Sequence, residues 1–315
     1  MNAEQDSIFK YIPCDLCGTR DFVRLGKLKA SNKIENIVPI PEDISIVRCK
    51  RCGFYYTDPM PFWRENELQD IYDATYFPEM TRWWKRVKTK ANPQRRLDTI
   101  EKHATSNISQ FLEVGCGLGY GLEDAIRRGW VVCGQEVSPF FAEQVEGRLS
   151  IKVFVGQLVD AHYPDSYFDA VYVDSVLEHL PQPMEMFREI HRVLKPDGVA
   201  YITVTNEDAL INKLRSLLFK LTQPRRCPIL SPLAYPVHLI GFTPDTLRLA
   251  CESVGFEVKR LVVCAGTSEW RKFGIRNVGC LLLNIIYFPV YLIGEKLGKG
   301  IAIEAVIIPR KQDRK

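Results

Sequence analysis

The sequence lacks an excess of charge of either sign, because 42 Lys and Arg residues accompany 38 Asp and Glu residues and the formal net charge is +4. So small a surplus gives no electrostatic argument for a nucleic-acid partner. The amino terminus, MNAEQDSIFKYIPC, lacks a basic start followed by an apolar core, so we expect no secretory signal and a cytoplasmic setting. Internal repeats and low-complexity tracts are also absent. With 315 residues, the chain is long enough for one large domain with attachments or for two modest domains.

Apolar runs of the roughly 20 residues that a bilayer-spanning helix needs are absent as well. The segment GCLLLNIIYFPVYLIG, at 279–294, is shorter and contains Pro289, which interrupts a regular helix. We expect this segment to be a buried or capping helix. Contact with a membrane surface or a partner protein is the alternative that its apolarity leaves open.

Cysteine, by contrast, is plentiful, with ten residues. Without a secretory signal, these cysteines suggest reduced thiols and metal ligands instead of a disulfide framework. Two C-x-x-C-G units, CDLCG with Cys14 and Cys17 and CKRCG with Cys49 and Cys52, can supply four thiolates to a closed tetrahedral site. We therefore predict a zinc-binding module over 1–60 whose zinc is structural. Four unrelated cysteines, or a redox pair, are the alternatives.

Aromatic residues are frequent between this module and the rest of the chain, in FYYTDPMPFW, IYDATYF and RWWKR. We interpret 61–92 as an aromatic-rich linker or lid, most of which packs the module onto the main domain. Tyr72 and Tyr76 are candidates for contacts with a sugar or ring-bearing substrate, because a tyrosine offers both an apolar ring and a polar tip.

From 93 to 315 the chain alternates between strand-like and helix-like patterns, which predicts an α/β domain. Such alternation builds a mostly parallel sheet with helices on both faces and places ligands at the carboxyl ends of its strands. Insertions are expected at 206–240 and 270–300. The predicted strands lie in 109–115, 131–137, 151–156, 167–176 and 199–206; the predicted helices lie in 93–104, 120–130, 138–149 and 183–198, the last with Gly198 as its stop.

Glycines follow the first of these strands in FLEVGCGLGYG, as G-x-G-x-G through Gly115, Gly117 and Gly119. The dinucleotide fingerprint needs its third glycine one place later, where Tyr120 stands, so an NAD oxidoreductase is disfavoured. A phosphate-binding P-loop is excluded because no G-K-[ST] follows. Glu136 ends the next strand, and a carboxylate there can accept both hydroxyls of a ribose. An adenosine cofactor fits this pattern.

Several motifs together make the pattern specific. FLEVGCGLG, VVCGQEVSP, YFDAVYVDSVLEHLPQP, HRVLKPDGVAYITVTN and HLIGFTPDTLRLACESVGFEV follow one another in an order that resembles class I S-adenosylmethionine-dependent methyltransferases. The resemblance is to the branch with an amino-terminal zinc-binding region, and it covers roughly residues 14–308. It implies a Rossmann-like sheet of seven strands and a bound S-adenosylmethionine.

The resemblance also implies which residues hold the cofactor. Glu113, Gly115 and Gly117 would border its methionine moiety, and Glu136 would take the ribose hydroxyls, although Asp is commoner at that position. The segment GQLVDA lacks the acidic residue that often follows the glycine, so adenine recognition falls to backbone groups or to Gln157. The remaining implied contacts are Gln157 and Leu158 beside the adenine, and Asp174 and Ser175 on the substrate side of the cofactor.

Transfer of the methyl group to a hydroxyl or a carbon acid also needs a general base, for which histidine is well suited near neutral pH. His179, after the fourth strand, and His238, in a later loop, are the candidates, and Glu178 could orient His179 or contact substrate. A structural histidine that orients the loop is the alternative for both. His103, His162 and His191 have no catalytic context.

We therefore expect a methyltransferase acting on a small-molecule or carbohydrate acceptor, sugar-nucleotide or polysaccharide-related, at oxygen or at carbon. Nucleic-acid acceptors are disfavoured, because DSVLEH carries neither the Asn/Asp-Pro-Pro-aromatic run of an amino-purine enzyme nor the Pro-Cys of a 5-methylcytosine enzyme. A non-catalytic docking protein is one alternative. A lipid-linked acceptor at a membrane surface is another, since leucines between 210 and 221 share one face of a predicted helix and could form an apolar patch with 279–294.

Overall fold

The structure is a computed structural model that describes residues 8–28, 31–73, 91–222, 230, 237–264, 289–290 and 292–311. The predicted substrate contact Tyr76 and most of the apolar segment 279–294 lie outside the described residues. Within the described chain, no helix is long and apolar enough to cross a membrane.

A mixed sheet of seven strands forms the centre of the protein, as predicted from the sequence. Its order is β12-β13-β10-β9-β6-β7-β8, and only β13 runs antiparallel to its neighbours. The strands are β6 (Gln110–Val114), β7 (Val131–Glu136), β8 (Val153–Val155), β9 (Phe168–Asp174), β10 (Leu194–Thr205), β12 (Phe256–Cys264) and β13 (Ala302–Pro309).

Both faces of this sheet are buried. Side chains alternate along β9, so Val171 and Val173 join one apolar cluster while Ala170 and Tyr172 join the other. Helices cover both faces, which explains why most residues of the central strands are apolar. The helices of this part are α3 (Ala91–His103), α4 (Tyr120–Arg127), α5 (Pro139–Leu149), α6 (Pro183–Val193), α7 (Leu210–Thr222) and α8 (Pro244–Ser253).

The end of α6 differs from the prediction, because Gly198 does not terminate the helix. The helix ends at Val193, and Leu194 is already extended (φ −78°, ψ 134°) and paired with Phe168 of β9. Pro196 favours extended backbone at the residue before it, which is Lys195. Gly198 therefore lies inside β10.

The amino-terminal module is a second, antiparallel sheet with the order β11-β4-β3-β2. Its fourth strand, β11, comes from residues far along the chain, so residues 1–60 alone do not form this sheet. The predicted domain boundary at residue 60 stays a prediction. The module's apolar side chains join the cluster on one face of the large sheet. Its elements are β1 (Phe9–Lys10), β2 (Phe22–Lys27), α1 (Asn32–Ile37), β3 (Ser45–Cys49), β4 (Tyr55–Asp58), β5 (Met60–Pro61), α2 (Glu65–Ile71) and β11 (Ile240–Gly241).

Candidate functional site

The glycine-rich loop connects β6 to α4 at the carboxyl edge of the large sheet. Gly115, Gly117 and Gly119 all have positive φ angles, of 63°, 51° and 65°, which residues other than glycine rarely adopt. A Cβ on Gly115 would lie 2.5 Å from Cγ2 of Val176, so the loop and the end of β9 approach closely. A Cβ on Gly117 would meet no atom of the described chain within 4 Å. The backbone at Gly117 is therefore open to a ligand.

The Glu136 carboxylate organises this loop. Its Oε2 accepts the Gly117 N–H at 2.8 Å, and its Oε1 accepts the N–H groups of Val137 at 2.8 Å and Ser138 at 3.0 Å. Burial raises the pKa of Glu136, and these three donors partly offset that rise. A carboxylate has about four acceptor positions, so Glu136 has one left after these three donors, and its predicted contact with a ribose stays a prediction.

Gln135, which the sequence analysis missed, holds the same loop from its other side. Its Oε1 accepts the Gly115 N–H at 3.1 Å, and its Nε2 donates to the Gly156 carbonyl after β8. Gln135 is buried. The only sequence signal for this role of Gln135 was its position one residue before Glu136.

The side chain of Glu113, a residue of β6, lies against the first turn of α4. Its Oε2 accepts the Leu122 N–H at 2.7 Å, and a Cβ on Gly121 would lie 2.6 Å from its Oε1. Burial raises the pKa of Glu113 to about 8, although the Leu122 N–H lowers it. Glu113 thus caps a helix beside the loop, and its predicted contact with the methionine moiety stays a prediction.

The two residues predicted beside the adenine follow β8. Gln157 is exposed and stands at the N-cap of a 3₁₀ turn that begins at Leu158, whose side chain is buried. Only the Gln157 amide is open to a ligand here, and the predicted contacts of Gln157 and Leu158 with the adenine stay predictions.

Asp174, at the end of β9, belongs to a polar network that the sequence did not reveal. Its carboxylate accepts hydrogen bonds from Tyr172 at 3.0 Å and from Thr203, and it forms an ion pair with Arg96 of α3. Burial raises its pKa, but Arg96 and the hydroxyl donors outweigh burial, so the pKa of Asp174 is lowered. Next to it, Ser175 is exposed and has a positive φ of 56°, so the chain turns sharply there. Asp174 is therefore an ionised, fixed wall of the site.

His179 lies in the 3₁₀ turn Leu177–His179 that follows β9. Its Nδ1 is 2.7 Å from the Val237 carbonyl oxygen. A carbonyl only accepts, so we place the proton on Nδ1, which leaves Nε2 as the basic nitrogen. Burial lowers the pKa of His179 to about 4, despite the opposing effect of the Val237 and Ser175 backbone. The imidazole is therefore neutral at pH 7.

Two aromatic side chains from distant segments meet His179. The His238 ring centroid lies 5.0 Å away and the Tyr72 centroid 6.0 Å away, both edge-on. The Tyr72 carbonyl accepts the Ser138 hydroxyl at 2.7 Å, next to Glu136. The structure thus brings the predicted residues Tyr72, His179 and His238 together beside the cofactor loop.

Glu178 points away from the open part of the site and is fully buried. Within the described chain, neither of its carboxylate oxygens has a hydrogen-bond partner. Burial raises the pKa of Glu178 to about 8, and burial followed by the charge of Glu178 raises that of Glu207 to about 8. Two neighbouring carboxyls are thus protonated at neutral pH. A catalytic role for Glu178 stays a prediction.

The four cysteines of the amino-terminal module converge, and their Sγ atoms all lie within 4.8 Å of one another. Cys14 and Cys52 are 3.6 Å apart, and Cys17 and Cys49 are 3.5 Å apart. Four sulfurs at the usual Zn–S distance of about 2.3 Å would be separated by about 3.8 Å in a tetrahedron. The donor set and its spacing therefore fit a zinc ion.

Comparison with known proteins supports the cofactor site. A family model described as "Methyltransferase domain" matches residues 112–202, from β6 into β10. The chain is similar to the ubiquinone biosynthesis O-methyltransferase of Chromobacterium violaceum (28% identity over 148 residues, covering 41% of this chain and 60% of that protein). The corresponding protein of Aromatoleum aromaticum is 25% identical over 213 residues, which cover 62% of this chain and 87% of that protein.

Among solved structures, the fold resembles a SAM dependent methyltransferase from Archaeoglobus fulgidus, with a TM-score of 0.50 and 18% identity over 75% of this chain and 99% of that one. The likeness is one of fold. Together with the glycine loop and Glu136, the comparisons support S-adenosylmethionine as the cofactor of this site.

Proposed function

We propose that the chain is a class I S-adenosylmethionine-dependent methyltransferase. On this premise, it methylates a hydroxyl oxygen of a small-molecule acceptor, with neutral His179 as general base. The observation that carries this proposal is the hydrogen bond between His179 Nδ1 and the Val237 carbonyl, which leaves Nε2 basic. Because the pKa of His179 is lowered to about 4, the ring is unprotonated at physiological pH and ready to accept a proton.

The bound cofactor would supply a methyl group already activated by the sulfonium charge. The task of the protein is then to hold the acceptor oxygen in line with that methyl. Gly117 and Glu136 would hold the cofactor, and the side chains of Tyr72, His179 and His238 would border the acceptor. His179 would accept the proton of the acceptor hydroxyl at Nε2.

The basicity of His179 favours an acidic hydroxyl. A base with a pKa of about 4 is poorly matched to an alkyl hydroxyl, which resembles water with a pKa near 15.7, and better matched to a phenol, which resembles tyrosine near 10. The relatives named for O-methylation in ubiquinone biosynthesis point the same way. We therefore place a hydroxylated ring first. A carbohydrate hydroxyl, expected from the sequence, is second, and carbon methylation is third.

A membrane-borne acceptor is a further candidate, because an exposed apolar surface lies on α7 and near residue 294. A Cβ on Gly294 would lie 3.4 Å from Leu210, so the two segments are adjacent. The leucines and the isoleucine that this surface exposes are Leu217, Leu221, Leu292, Ile293 and Leu297. We propose that such a surface sits against lipid when the acceptor is lipid-linked. Sedimentation with anionic liposomes tests it, and a protein that stays in the supernatant would exclude this candidate.

The four-cysteine cluster, we propose, holds one structural zinc, and the protein works in a reducing, cytoplasmic compartment. Thiolate ligands for zinc need reduced cysteines, which is the argument for the second part. Metal analysis of the purified protein is expected to give one zinc per chain. Cys17→Ser should lose the metal and Cys133→Ser, outside the cluster, should keep it; equal metal content in both variants would contradict the site.

The test of function uses His179→Ala and a panel of acceptors. We expect turnover to fall by about 10²–10⁴, the usual contribution of a general base, while calorimetry with S-adenosylhomocysteine shows unchanged affinity. Phenolic acceptors, nucleotide sugars and carbon acids are assayed side by side. Full activity of the variant would remove His179 from the reaction, and binding of NADH without S-adenosylhomocysteine would overturn the cofactor assignment.

A further inference from the structure

Strand β11 belongs to the methyltransferase part of the sequence but completes the sheet of the cysteine module. Ile240 and Gly241 pair with Tyr56 and Tyr55 of β4. One residue further, the N–H and the hydroxyl of Thr57 both donate to the Leu239 carbonyl, at 3.1 and 2.8 Å. Thr57 and Leu239 are fully buried. The contact is therefore shielded from water and joins residues 182 positions apart.

The other side of the same segment holds the candidate base. The Val237 carbonyl accepts the His179 Nδ1–H, and the Leu239 N–H donates to the Glu178 carbonyl at 2.8 Å. His238 lies between these two contacts, with its ring against His179. Three consecutive residues are thus fixed between Thr57 on one side and the 3₁₀ turn on the other.

The cysteine module makes a second contact at the start of α6, a few residues beyond that turn. Asp15, inside the first C-x-x-C unit, accepts the Met184 N–H at 2.8 Å and so caps α6 immediately after the turn. Phe54, whose carbonyl accepts the Cys49 N–H at 2.9 Å, packs against Phe242 with ring centroids 5.1 Å apart. Both C-x-x-C units therefore connect through short contacts to the segments that carry the two histidines.

We propose that Thr57 is a positioning residue for methyl transfer: through the Leu239 carbonyl it sets the segment 237–239 that orients His179, so the cysteine module forms a supporting wall of the active site. The inference rests on the proposed function, in which His179 is the base. Hydrogen bonds thus connect β4, through the segment 237–239, to the imidazole of His179. Thr57 itself does not contact that ring.

Thr57→Val isolates the hydroxyl. Valine keeps the shape and the backbone N–H, so the Leu239 carbonyl retains one donor and the module can still fold. We expect kcat to fall about tenfold, because small displacements of a catalytic group cost much in rate. The affinity for S-adenosylhomocysteine should stay unchanged, because Gly117 and Glu136 are not involved. Thr57→Ser retains the hydroxyl and should restore kcat to within about twofold of the parent protein.

Thr105→Val is the matched control, since the Thr105 hydroxyl also donates to a backbone carbonyl, that of Asp197 at 3.1 Å, but at an exposed place outside the site. A readout that does not depend on turnover is the NMR titration of the His179 ring, assigned with His179→Asn. Thr57→Val should shift its pKa upward as the ring is exposed to water, while Thr105→Val leaves it unchanged. Removal of metal with a chelator should shift the same resonance.

The outcomes separate this proposal from the function on which it rests. If His179→Ala inactivates the protein while Thr57→Val changes neither kcat nor the His179 resonance, the positioning role is overturned and the base stands. If His179→Ala is fully active while Thr57→Val still shifts the resonance, the base role is lost and the contact path stands. A Thr57→Ser variant as slow as Thr57→Val would also overturn the role of the hydroxyl.

Discussion

At the scale of single residues, the cofactor site depends on buried polar side chains that hold backbone groups. Glu136 and Gln135 together fix both ends of the Gly115–Gly117 stretch, each through hydrogen bonds to its N–H groups. The loop is thus arranged before any ligand arrives, which lowers the entropic cost of binding. The Glu136 carboxylate orders the glycines, and we predict that the same carboxylate binds the ribose of the cofactor.

Glu136→Gln is expected to weaken S-adenosylhomocysteine binding by roughly 10- to 100-fold, the usual worth of hydrogen bonds to a charged group. The amide replaces one of the two carboxylate oxygens by NH₂, so either the Gly117 N–H or the N–H groups of Val137 and Ser138 lose their acceptor, and the side chain loses its charge toward a ribose. Glu136→Asp retains the charge and should lose much less. Isothermal titration calorimetry measures both variants; equal affinity of Glu136→Gln and the parent protein would refute the double role.

At the scale of elements, glycines in helices serve different purposes in this protein. Gly121, in the first turn of α4, lies against the Glu113 carboxylate, and a Cβ there would approach Oε1 to 2.6 Å. Gly147, in α5, has open space around its Cβ position within the described chain. The first glycine permits a buried contact, whereas the second only reduces helix propensity.

Alanine substitutions at these two positions should therefore act in opposite directions. Gly147→Ala is expected to raise the free energy of unfolding by about 1 kcal/mol, the usual gain for glycine to alanine inside a helix. Gly121→Ala should lower it, because the methyl group displaces Glu113 from the Leu122 N–H and leaves a buried carboxyl without that donor. Urea denaturation compares the two variants, and stabilisation by Gly121→Ala would contradict the tight packing seen here.

The elements that the sequence predicted well are those with local patterns. Apolar runs located β6 to β9 and the second half of β10, and Pro139 after Ser138 located the start of α5. Contacts between distant segments were not predictable, because no local pattern encodes them: the pairing of β11 with β4, and the ion pair of Arg96 with Asp174, are examples. Gly198 misled the prediction, because a glycine after a helical pattern resembles a C-cap whether or not a strand follows.

At the scale of the whole molecule, an unusual number of acidic groups is buried between the layers. Glu113, Glu178 and Glu207 have pKa values raised by burial to about 8, while burial lowers that of His179 to about 4. These groups lie on several elements around one site. These four groups are therefore neutral in the folded protein at pH 7, whereas Asp174 beside them stays ionised. In the unfolded chain the three carboxyls are charged at pH 7, and the histidine is charged below its ordinary pKa.

The stability of the protein should consequently fall as pH rises from about 6.5 to 8. In this window the three carboxyls are ionised in the unfolded chain but protonated in the folded protein, so the folded state binds more protons and loses stability with rising pH. Below pH 6.5, His179 makes the free energy of unfolding fall as the pH falls. The imidazole binds a proton in the unfolded chain, whereas in the folded protein it stays unprotonated until the pH falls to about 4. The two effects therefore oppose each other in acid, and the effect of His179 fades as the pH rises above about 6.5.

Urea denaturation at pH 6.5, 7.25 and 8 measures this slope in the protein without cofactor. Glu178→Gln removes one titrating group and should flatten the slope by up to roughly 1.4 kcal/mol per pH unit, the value for one proton. Glu252→Gln, at an exposed position of α8, should leave it unchanged. A free energy of unfolding that stays constant across the window in the parent protein would show that the buried carboxyls are ionised. A cation or a bound group would then have to compensate their charges, because unpaired buried charges are too costly to persist.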